Sequence, residues 1–221
     1  MRTLKALLCL SAIAGGLATS VAQNVYSLNI VGYVNVPIQG GNKLTLVSNP
    51  LKPSNGNYNI TNTITMPANS EGAGLFKWAG TGYDNNVPSW IDGFGWFPDI
   101  NIPLGECFFI QAPTAGSITF VGEVSTGTNT TTVPAGISFL ANKVPIAEPF
   151  PGGTVGAEGD GIFTWGGTGW NNLVWSYVGG YGWFGDGSPT ESTNGPVVAV
   201  GGGIVLQHTG APMTITRIFT P

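Results

Sequence analysis

The chain has 221 residues, of which 35 are glycine and 8 % are charged, whereas an average soluble domain has about 7 % glycine and about 25 % charged residues. This composition excludes a coiled coil, and the lack of a three-residue glycine period excludes collagen. An aromatic content of 11 % excludes a disordered chain, and a formal net charge of −4 argues against a nucleic-acid partner. We therefore expect a globular β protein.

Residues 1–22 have the pattern of a secretory signal peptide. Arg2 and Lys5 precede an apolar run over residues 6–18, and small residues at 20 and 22 predict cleavage before Gln23. The run is short for a membrane anchor, which needs about 20 apolar residues. We expect a secreted, extracellular or cell-surface protein, with no membrane span after the signal is removed.

An internal duplication organises the rest of the chain. Residues 71–99 align without a gap with residues 158–186, and sixteen of these 29 positions are identical. The similarity extends from 44–49 to 137–142 and, after an insertion near 187–196, from 104–111 to 200–207. The sequence thus predicts two units of about 95 residues, with boundaries at 23–124 and 125–221.

Short apolar runs separated by glycine and proline predict strands in both units, and helix periodicity is nearly absent. Leu75 to Trp78 and Tyr83 to Ile91 are expected to be strands joined by a glycine turn. Residues 108–111 and 118–121 are expected to form a hairpin, as are their counterparts at 204–207 and 214–218. The predicted fold class is all-β, with two tandem β-sandwich- or barrel-like repeats.

The stretch 25–38 is a long, strand-prone segment without an equally long counterpart before the second unit. It either pairs within its own chain or adds to the sheet of a neighbour in trans. The candidate assembly residues on this strand are Val25, Tyr26, Leu28, Ile30, Tyr33, Val34 and Val36.

Four segments together resemble a family of secreted two-repeat, β-rich surface proteins of environmental bacteria. They are VYSLNIVGY at 25–33, SNPL at 48–51, FKWAGTGY at 76–83 and IPLGECFFIQ at 102–111. The closing motif of this family usually has glycine where this chain has Cys107, and the second unit has three glycines at 201–203. The resemblance implies a surface or extracellular module without assigned catalytic residues.

No catalytic constellation is evident, so we expect the protein not to be an enzyme. His208, the one histidine, is expected to be a surface or turn residue, and Cys107 is expected to be a buried, inert thiol. Residues 180–185 match G-x-G-x-x-G, but the following Asp-Gly-Ser-Pro cannot begin a helix, so no dinucleotide site is predicted.

The carboxylates favour turn hydrogen bonds over chemistry. The pairs Glu71/Glu158 and Asp99/Asp186 recur in both units beside glycine or proline, where they are expected to bond the local backbone. Calcium is a weak alternative, at Asp186, Ser188 and Glu191 or at Glu158 and Asp160, because hard oxygen ligands on loops suit it. We expect no cofactor and no other metal.

Aromatic side chains give the best indication of a binding surface. Aromatic rings beside amide groups are typical of sugar recognition, whereas the alternative is that they fill the core. The recurring pairs Phe76/Phe163, Trp78/Trp165 and Trp96/Trp183 are expected in the core. The candidate ligand-stacking residues are Trp90, Trp170, Trp175, Tyr177 and Tyr83.

Two functions remain open from the sequence. The first is a non-catalytic structural or adhesion protein that pairs with itself or with other surface proteins, because few charges guard its strand edges. The second is a carbohydrate-binding module for a polysaccharide that uses exposed Trp and Tyr side chains.

Overall fold

A computed structural model describes residues 30–185 and 194–220. Strands account for 48 % of the structure and helix for 2 %, which confirms the all-β fold class. The predicted signal peptide and the candidate assembly residues Val25, Tyr26 and Leu28 lie outside the described residues, as do Asp186, Ser188 and Glu191.

The first half of the chain contains eight strands and one short helix. They are β1 (Val31–Ile38), β2 (Lys43–Ser48), α1 (Ile60–Thr63), β3 (Ile64–Thr65), β4 (Gly74–Lys77), β5 (Ser89–Ile91), β6 (Gly95–Phe97), β7 (Cys107–Ala112) and β8 (Gly116–Glu123).

Nine strands are described in the second half. They are β9 (Gly127–Val133), β10 (Gly136–Leu140), β11 (Glu148–Pro149), β12 (Gly161–Phe163), β13 (Trp175–Val178), β14 (Gly182–Gly185), β15 (Val197–Val198), β16 (Ile204–His208) and β17 (Met213–Phe219).

The two halves contain five-stranded sheets with the same strand order. The order is β2-β7-β4-β5-β6 in the first half and β10-β16-β12-β13-β14 in the second. Matching backbone bonds follow the duplicated sequence, since Trp90 N–H donates to Ala73 O and Tyr177 N–H donates to Asp160 O. The segments that are alike in sequence therefore fold alike, whereas the domain boundary at 124/125 stays a prediction.

A smaller sheet faces each five-stranded sheet. In the first half it is β1-β8-β3, and in the second it is the pair β9-β17, with β11-β15 beside it. One core contains Val36 and Phe120 from the smaller sheet together with Phe108 and Trp96 from the larger one. The second core is built in the same way around the fully buried Trp183. The expectation that Trp96 and Trp183 are core residues is confirmed.

Two hairpins predicted from the sequence are wrong. β7 pairs with β2 and β4, whereas β8 pairs with β1 and β3, so the turn after β7 carries the chain from one sheet to the other. β16 and β17 are separated in the same manner. Both strands of each pair are apolar on the face toward the shared core, and this pattern is the same for a hairpin and for a crossing between sheets.

Candidate functional site

Six aromatic rings from both halves meet where the two five-stranded sheets adjoin. We call Trp78, Tyr83, Phe109, Phe139, Trp165 and Trp170 the junction cluster. Trp78 stacks on Phe139 with ring centroids 5.4 Å apart, and Phe109 packs edge-to-face against Trp165 at 5.0 Å. Such aromatic pairs contribute about 0.5–1.5 kcal/mol beyond the burial of their surface. The cluster therefore holds the two halves in a defined arrangement.

Reciprocal hydrogen bonds fix this arrangement. The Trp78 indole N–H donates to Ile137 O at 3.0 Å, and the Trp165 indole N–H donates to Leu44 O at 2.9 Å. Ile137 and Leu44 occupy matching positions of the duplication, as do the two tryptophans, so the junction has approximate two-fold symmetry. Trp78 and Trp165 were expected in the core, and both rings are half-buried between the halves, where Trp165 packs on a small core cluster that contains Phe109.

Two members of the junction cluster reach the surface. Tyr83 is 47 % exposed and Trp170 is 44 % exposed, and the two occupy matching positions. Both rings contact the buried Phe109, with centroid distances of 6.4 Å for Tyr83 and 6.0 Å for Trp170. The structure therefore brings two of the five candidate stacking residues to one aromatic surface.

The other three candidate stacking residues pack on the cores, although they were expected to be exposed. Trp90 and Tyr177 lie edge-to-face on Trp96 and Trp183, with centroids 5.7 Å and 5.3 Å apart. Trp175 lies over the backbone of Gly185, where a Cβ atom would approach the indole ring to 3.1 Å. The large rings face inward because they bury more apolar surface than the small aliphatic residues of the opposite face.

A cleft of about 390 Å³ opens beside the junction cluster. We call it the junction cleft. It is lined by Trp78 and Glu106 from the first half and by Thr131, Thr132, Phe139 and Lys143 from the second, among others. Its volume falls within the range of ligand pockets, which is about 300–1,000 Å³.

The described part of the candidate assembly strand pairs within its own chain. All eight residues of β1 pair antiparallel with β8. Val36 is buried and Val34 packs on the first core, whereas Ile30 and Tyr33 are exposed, Tyr33 by 72 %. β1 is the outermost strand of its sheet, so its second edge has no neighbouring strand among the described residues.

His208 is buried, which corrects the expectation of a surface or turn position. Its Nδ1 lies 2.8 Å from Asp160 Oδ2, and its Nε2 lies 2.7 Å from Ala211 O. Both partners are acceptors, so the imidazole satisfies them only when both of its nitrogens are protonated. Asp160 Oδ1 also accepts bonds from the Thr209 N–H and hydroxyl. The pair is therefore fully engaged in local structure.

Hydrogen bonding opposes burial at both members of this pair. Burial alone would raise the pKa of Asp160, but bonds from Thr209, Ala157 and His208 outweigh it and lower that pKa. Burial alone would lower the pKa of His208, but the bond to Ala211 O, the bond to Asp160 and its negative charge outweigh it and raise that pKa. The charged forms of both groups are stabilised.

The other titratable groups singled out by the sequence have structural partners. Glu71 accepts a bond from Asp92 N–H, Glu158 accepts one from Gly179 N–H, and Asp99 accepts bonds from Asn59 and the Thr61 hydroxyl. These contacts confirm backbone bonding in turns for the two glutamates. Cys107 is buried as expected, and burial together with the neighbouring Glu106 charge raises the pKa of its thiol far above the usual range.

Three exposed aromatic residues were not selected from the sequence. Phe94 is 89 % exposed and Tyr181 is 73 % exposed at the tips of the β5–β6 and β13–β14 hairpins, and Phe97 is 72 % exposed on β6. At each tip the aromatic residue lies between two glycines with positive φ, as in Gly93 and Gly95. The sequence feature that could have indicated these exposed tips is an aromatic residue between two glycines at matching positions of the duplication.

Comparisons with protein families, with curated proteins and with solved structures find no match to the chain. Among residues 30–185 and 194–220, no three His, Cys, Asp or Glu side chains are grouped so that they could hold a metal ion. Within the same residues, no helix has the length and apolar character needed to cross a membrane.

Proposed function

We propose that the protein is a non-catalytic structural and adhesion protein, secreted or held at the cell surface, that assembles through β-strand pairing with a second copy. The observation that carries this proposal is the unpaired edge of β1. Export is supported by the signal-like residues 1–22. A non-catalytic role is supported by His208 and Asp160, whose polar atoms are occupied by structural bonds.

The hydrogen-bond pattern of β1 shows what its outer edge presents. Val124 N–H donates to Ile30 O, so residue 30 belongs to a hydrogen-bonded pair. In an antiparallel ladder such pairs alternate, so residues 32, 34 and 36 bond β8. The N–H and C=O groups of Val31, Tyr33 and Asn35 then point to the outer edge. They form a short template for a strand from another molecule.

This edge has little of the protection that edge strands usually carry. Residues 25–38 contain no charged side chain. Pro37 lies on the outer edge, where its missing N–H ends the template but leaves residues 31–35 available. The side chains beside the edge are apolar, since Val31 is 64 % exposed, Tyr33 is 72 % exposed and its cross-strand neighbour Val121 is 52 % exposed.

The experiment is sedimentation velocity on the chain from residue 23 onward, over a range of concentrations, with electron microscopy of the same samples. Removing 24–38 would also expose the first core, so single substitutions are the sharper test. We expect concentration-dependent association that Tyr33→Lys weakens, because a charge beside the edge opposes pairing. Phe94→Lys is the matched control, since Phe94 is 89 % exposed but lies in the turn between β5 and β6, outside any strand.

The proposal fails if the unaltered chain stays monomeric up to its solubility limit, or if Tyr33→Lys and Phe94→Lys weaken association equally. In the second case association would be driven by exposed apolar surface in general. Asn35→Pro adds a backbone test, because it removes an edge N–H that does not bond β8. We expect it to weaken association while leaving the monomer folded.

Carbohydrate binding is the second candidate, favoured by the exposed pair Tyr83 and Trp170. Both rings rest on Phe109, so they present fixed apolar surface that suits the face of a sugar ring. We expect Trp170→Ala to reduce retention on an insoluble polysaccharide, with Phe94→Ala, at an exposed hairpin tip, as the control. If Trp170→Ala is retained as strongly as Phe94→Ala, the surface of Tyr83 and Trp170 does not bind the polysaccharide.

A further inference from the structure

The junction cleft is lined by two charged side chains, Glu106 and Lys143, that have no counterpart in the matching cleft of the duplication. The duplication supplies an internal comparison, because a smaller cleft of about 200 Å³ lies at matching positions. There Trp165 takes the place of Trp78, Leu46 that of Phe139 and Gly202 that of Glu106. The aromatic and aliphatic framework is retained in both clefts, whereas the carboxylate is present in only one.

Lys143 is the second group that distinguishes the junction cleft. The matching position in the first half is Pro50, although the neighbouring Asn49 and Asn142 make the same local bond, to Leu51 N–H and Val144 N–H. The Lys143 stem lies against Gly105, where a Cβ atom would approach its Cγ to 2.7 Å, and its ammonium donates to Thr130 O. The stem is thereby held in place beside the cleft.

The two charged side chains that line the cleft have opposite signs. Lys77 pairs with Glu106 at 3.2 Å from outside the lining, and the lining itself contains Glu106 on one wall and Lys143 on the other. Each has bonding capacity left, because a carboxylate accepts about four hydrogen bonds and an ammonium donates three. A ligand with net charge would be attracted by one group and repelled by the other. Partial burial lowers the pKa of Lys143, because its ammonium is partly removed from water at this wall.

We propose that the junction cleft binds one neutral sugar unit, with Glu106 accepting bonds from its hydroxyls, Lys143 donating to them, and Trp78 with Phe139 providing the apolar wall. Trp78 and Phe139 lie within 5° of parallel, and the Trp78 N–H is bonded to Ile137 O, so the wall is fixed before a ligand arrives. The hydroxyls of Thr131 and Thr132 add further polar contacts.

Sugar binding in the junction cleft does not depend on self-association. It rests on the carbohydrate-binding candidate and adds a second site to it. The experiment is calorimetric titration of the chain from residue 23 with neutral β-linked gluco-, manno- and N-acetylglucosamine oligosaccharides. Oligosaccharides of glucuronic acid and free amino acids are the anionic and zwitterionic comparators. We expect a neutral oligosaccharide to bind, and Glu106→Gln or Lys143→Met to weaken it at least about tenfold, because each removes a charge-assisted bond.

Two controls separate binding from structure. Lys43→Met removes an exposed lysine at the start of β2 and is expected to leave affinity unchanged. Lys77→Met breaks the ion pair but keeps the Glu106 carboxylate, so it is expected to weaken binding less than Glu106→Gln. Equal losses for these two variants would make Glu106 a structural partner of Lys77 and overturn its role as a ligand contact.

The site itself is overturned if none of the neutral oligosaccharides binds, or if an amino acid or glucuronic acid oligosaccharide binds instead. It is also overturned if Trp170→Ala abolishes binding while Glu106→Gln and Lys143→Met have no effect, since the sugar would then lie on the exposed Tyr83 and Trp170 surface. Self-association of the same samples is measured by sedimentation, and its outcome does not depend on these binding results.

Discussion

Trp78 and Trp165 each donate an indole N–H to a backbone carbonyl in the opposite half of the molecule, at 3.0 Å and 2.9 Å. Their acceptors, Ile137 and Leu44, are the second residues of the matching strands β10 and β2. Each half thus supplies one donor and one acceptor, as in the isologous interface of a symmetric dimer. The duplicated chain uses the same contact twice to join its halves.

We predict that Trp78→Phe and Trp165→Phe each destabilise the protein. Each substitution removes the N–H that donates to a carbonyl across the junction, which is expected to lower the free energy of unfolding by about 0.5–1.5 kcal/mol. The measurement is urea denaturation followed by circular dichroism. Trp170→Phe is the control, because its half-exposed ring is open to water and the substitution should have a smaller effect than either. Equal losses for all three variants would contradict the role of the two bonds.

We predict that stability falls as the pH rises above neutral. The folded pKa of His208 is raised, so its contribution is complete below the unfolded pKa of about 6.5 and is lost as the pH rises through the folded value. The folded pKa of Asp160 is lowered, so its contribution is present above about 3.9 and is lost as the pH falls through the folded value. Both contributions coincide between about pH 4 and 6.5.

The measurement is the urea midpoint as a function of pH, for the unaltered chain and for Asp160→Ala combined with His208→Ala. The double variant is expected to lose the decline between about pH 6.5 and 8, because it contains no histidine, whereas Cys107, whose thiol pKa is raised by burial, still lowers stability at higher pH. If its midpoint declines with pH as steeply as that of the unaltered chain, the decline has another origin.

In the first half of the chain, apolar residues occupy the positions of Asp160 and His208, which indicates how the fold responds when both side chains are removed. Asp160 matches Ala73 and His208 matches Ala112, and both alanines are fully buried. We predict that Asp160→Ala or His208→Ala alone costs about 3–5 kcal/mol, because each leaves a buried charged group without its partner. The double variant should be less destabilised than the sum of the two, as measured in a double-mutant cycle. Additive losses would show that the two side chains act independently.

Sequence patterns predicted the all-β class and the two buried tryptophans, because glycine turns and a recurring aromatic motif are local signals. They did not predict which strands share a sheet, since β7 and β8 are joined by a turn whose composition also suits a hairpin. They assigned Trp90 and Tyr177 to the wrong face, because alternation gives two faces without saying which one is buried. The junction cluster and the Asp160–His208 pair join residues far apart in the chain, so no local sequence pattern indicates them.

Cys107 and Gly203 occupy matching positions and face each other across the junction. A Cβ atom at position 203 would clash with the Cys107 sulfur and would approach Leu140 O to 3.1 Å. We predict that Gly203→Ala lowers the free energy of unfolding by about 1–3 kcal/mol through overpacking. Adding Cys107→Gly should recover part of this loss, because it vacates the space that the new methyl group needs. The measurement is urea denaturation of the four variants of the cycle, and no recovery would contradict this contact.

Phe97 and Phe184 match in the duplication but differ in burial. Phe97 is 72 % exposed on β6, whereas Phe184 is 9 % exposed on β14. The two edges also differ, because Asn194 forms a parallel bridge with Trp183 beside β14, and the chain after it continues into β15. β14 therefore has the chain at residue 194 beside it, whereas β6 is the last strand of its sheet among the described residues.

We predict that Phe184→Ala lowers the free energy of unfolding by about 3–5 kcal/mol, whereas Phe97→Ala changes it by no more than about 0.5 kcal/mol. The reason is that the first substitution opens a cavity and the second removes a ring that is already in water. The two variants control for each other, since residue type and position in the hairpin are the same. Thermal and urea denaturation measure the difference, and equal losses would mean that the Phe97 ring is covered in solution, for example by a second copy of the chain.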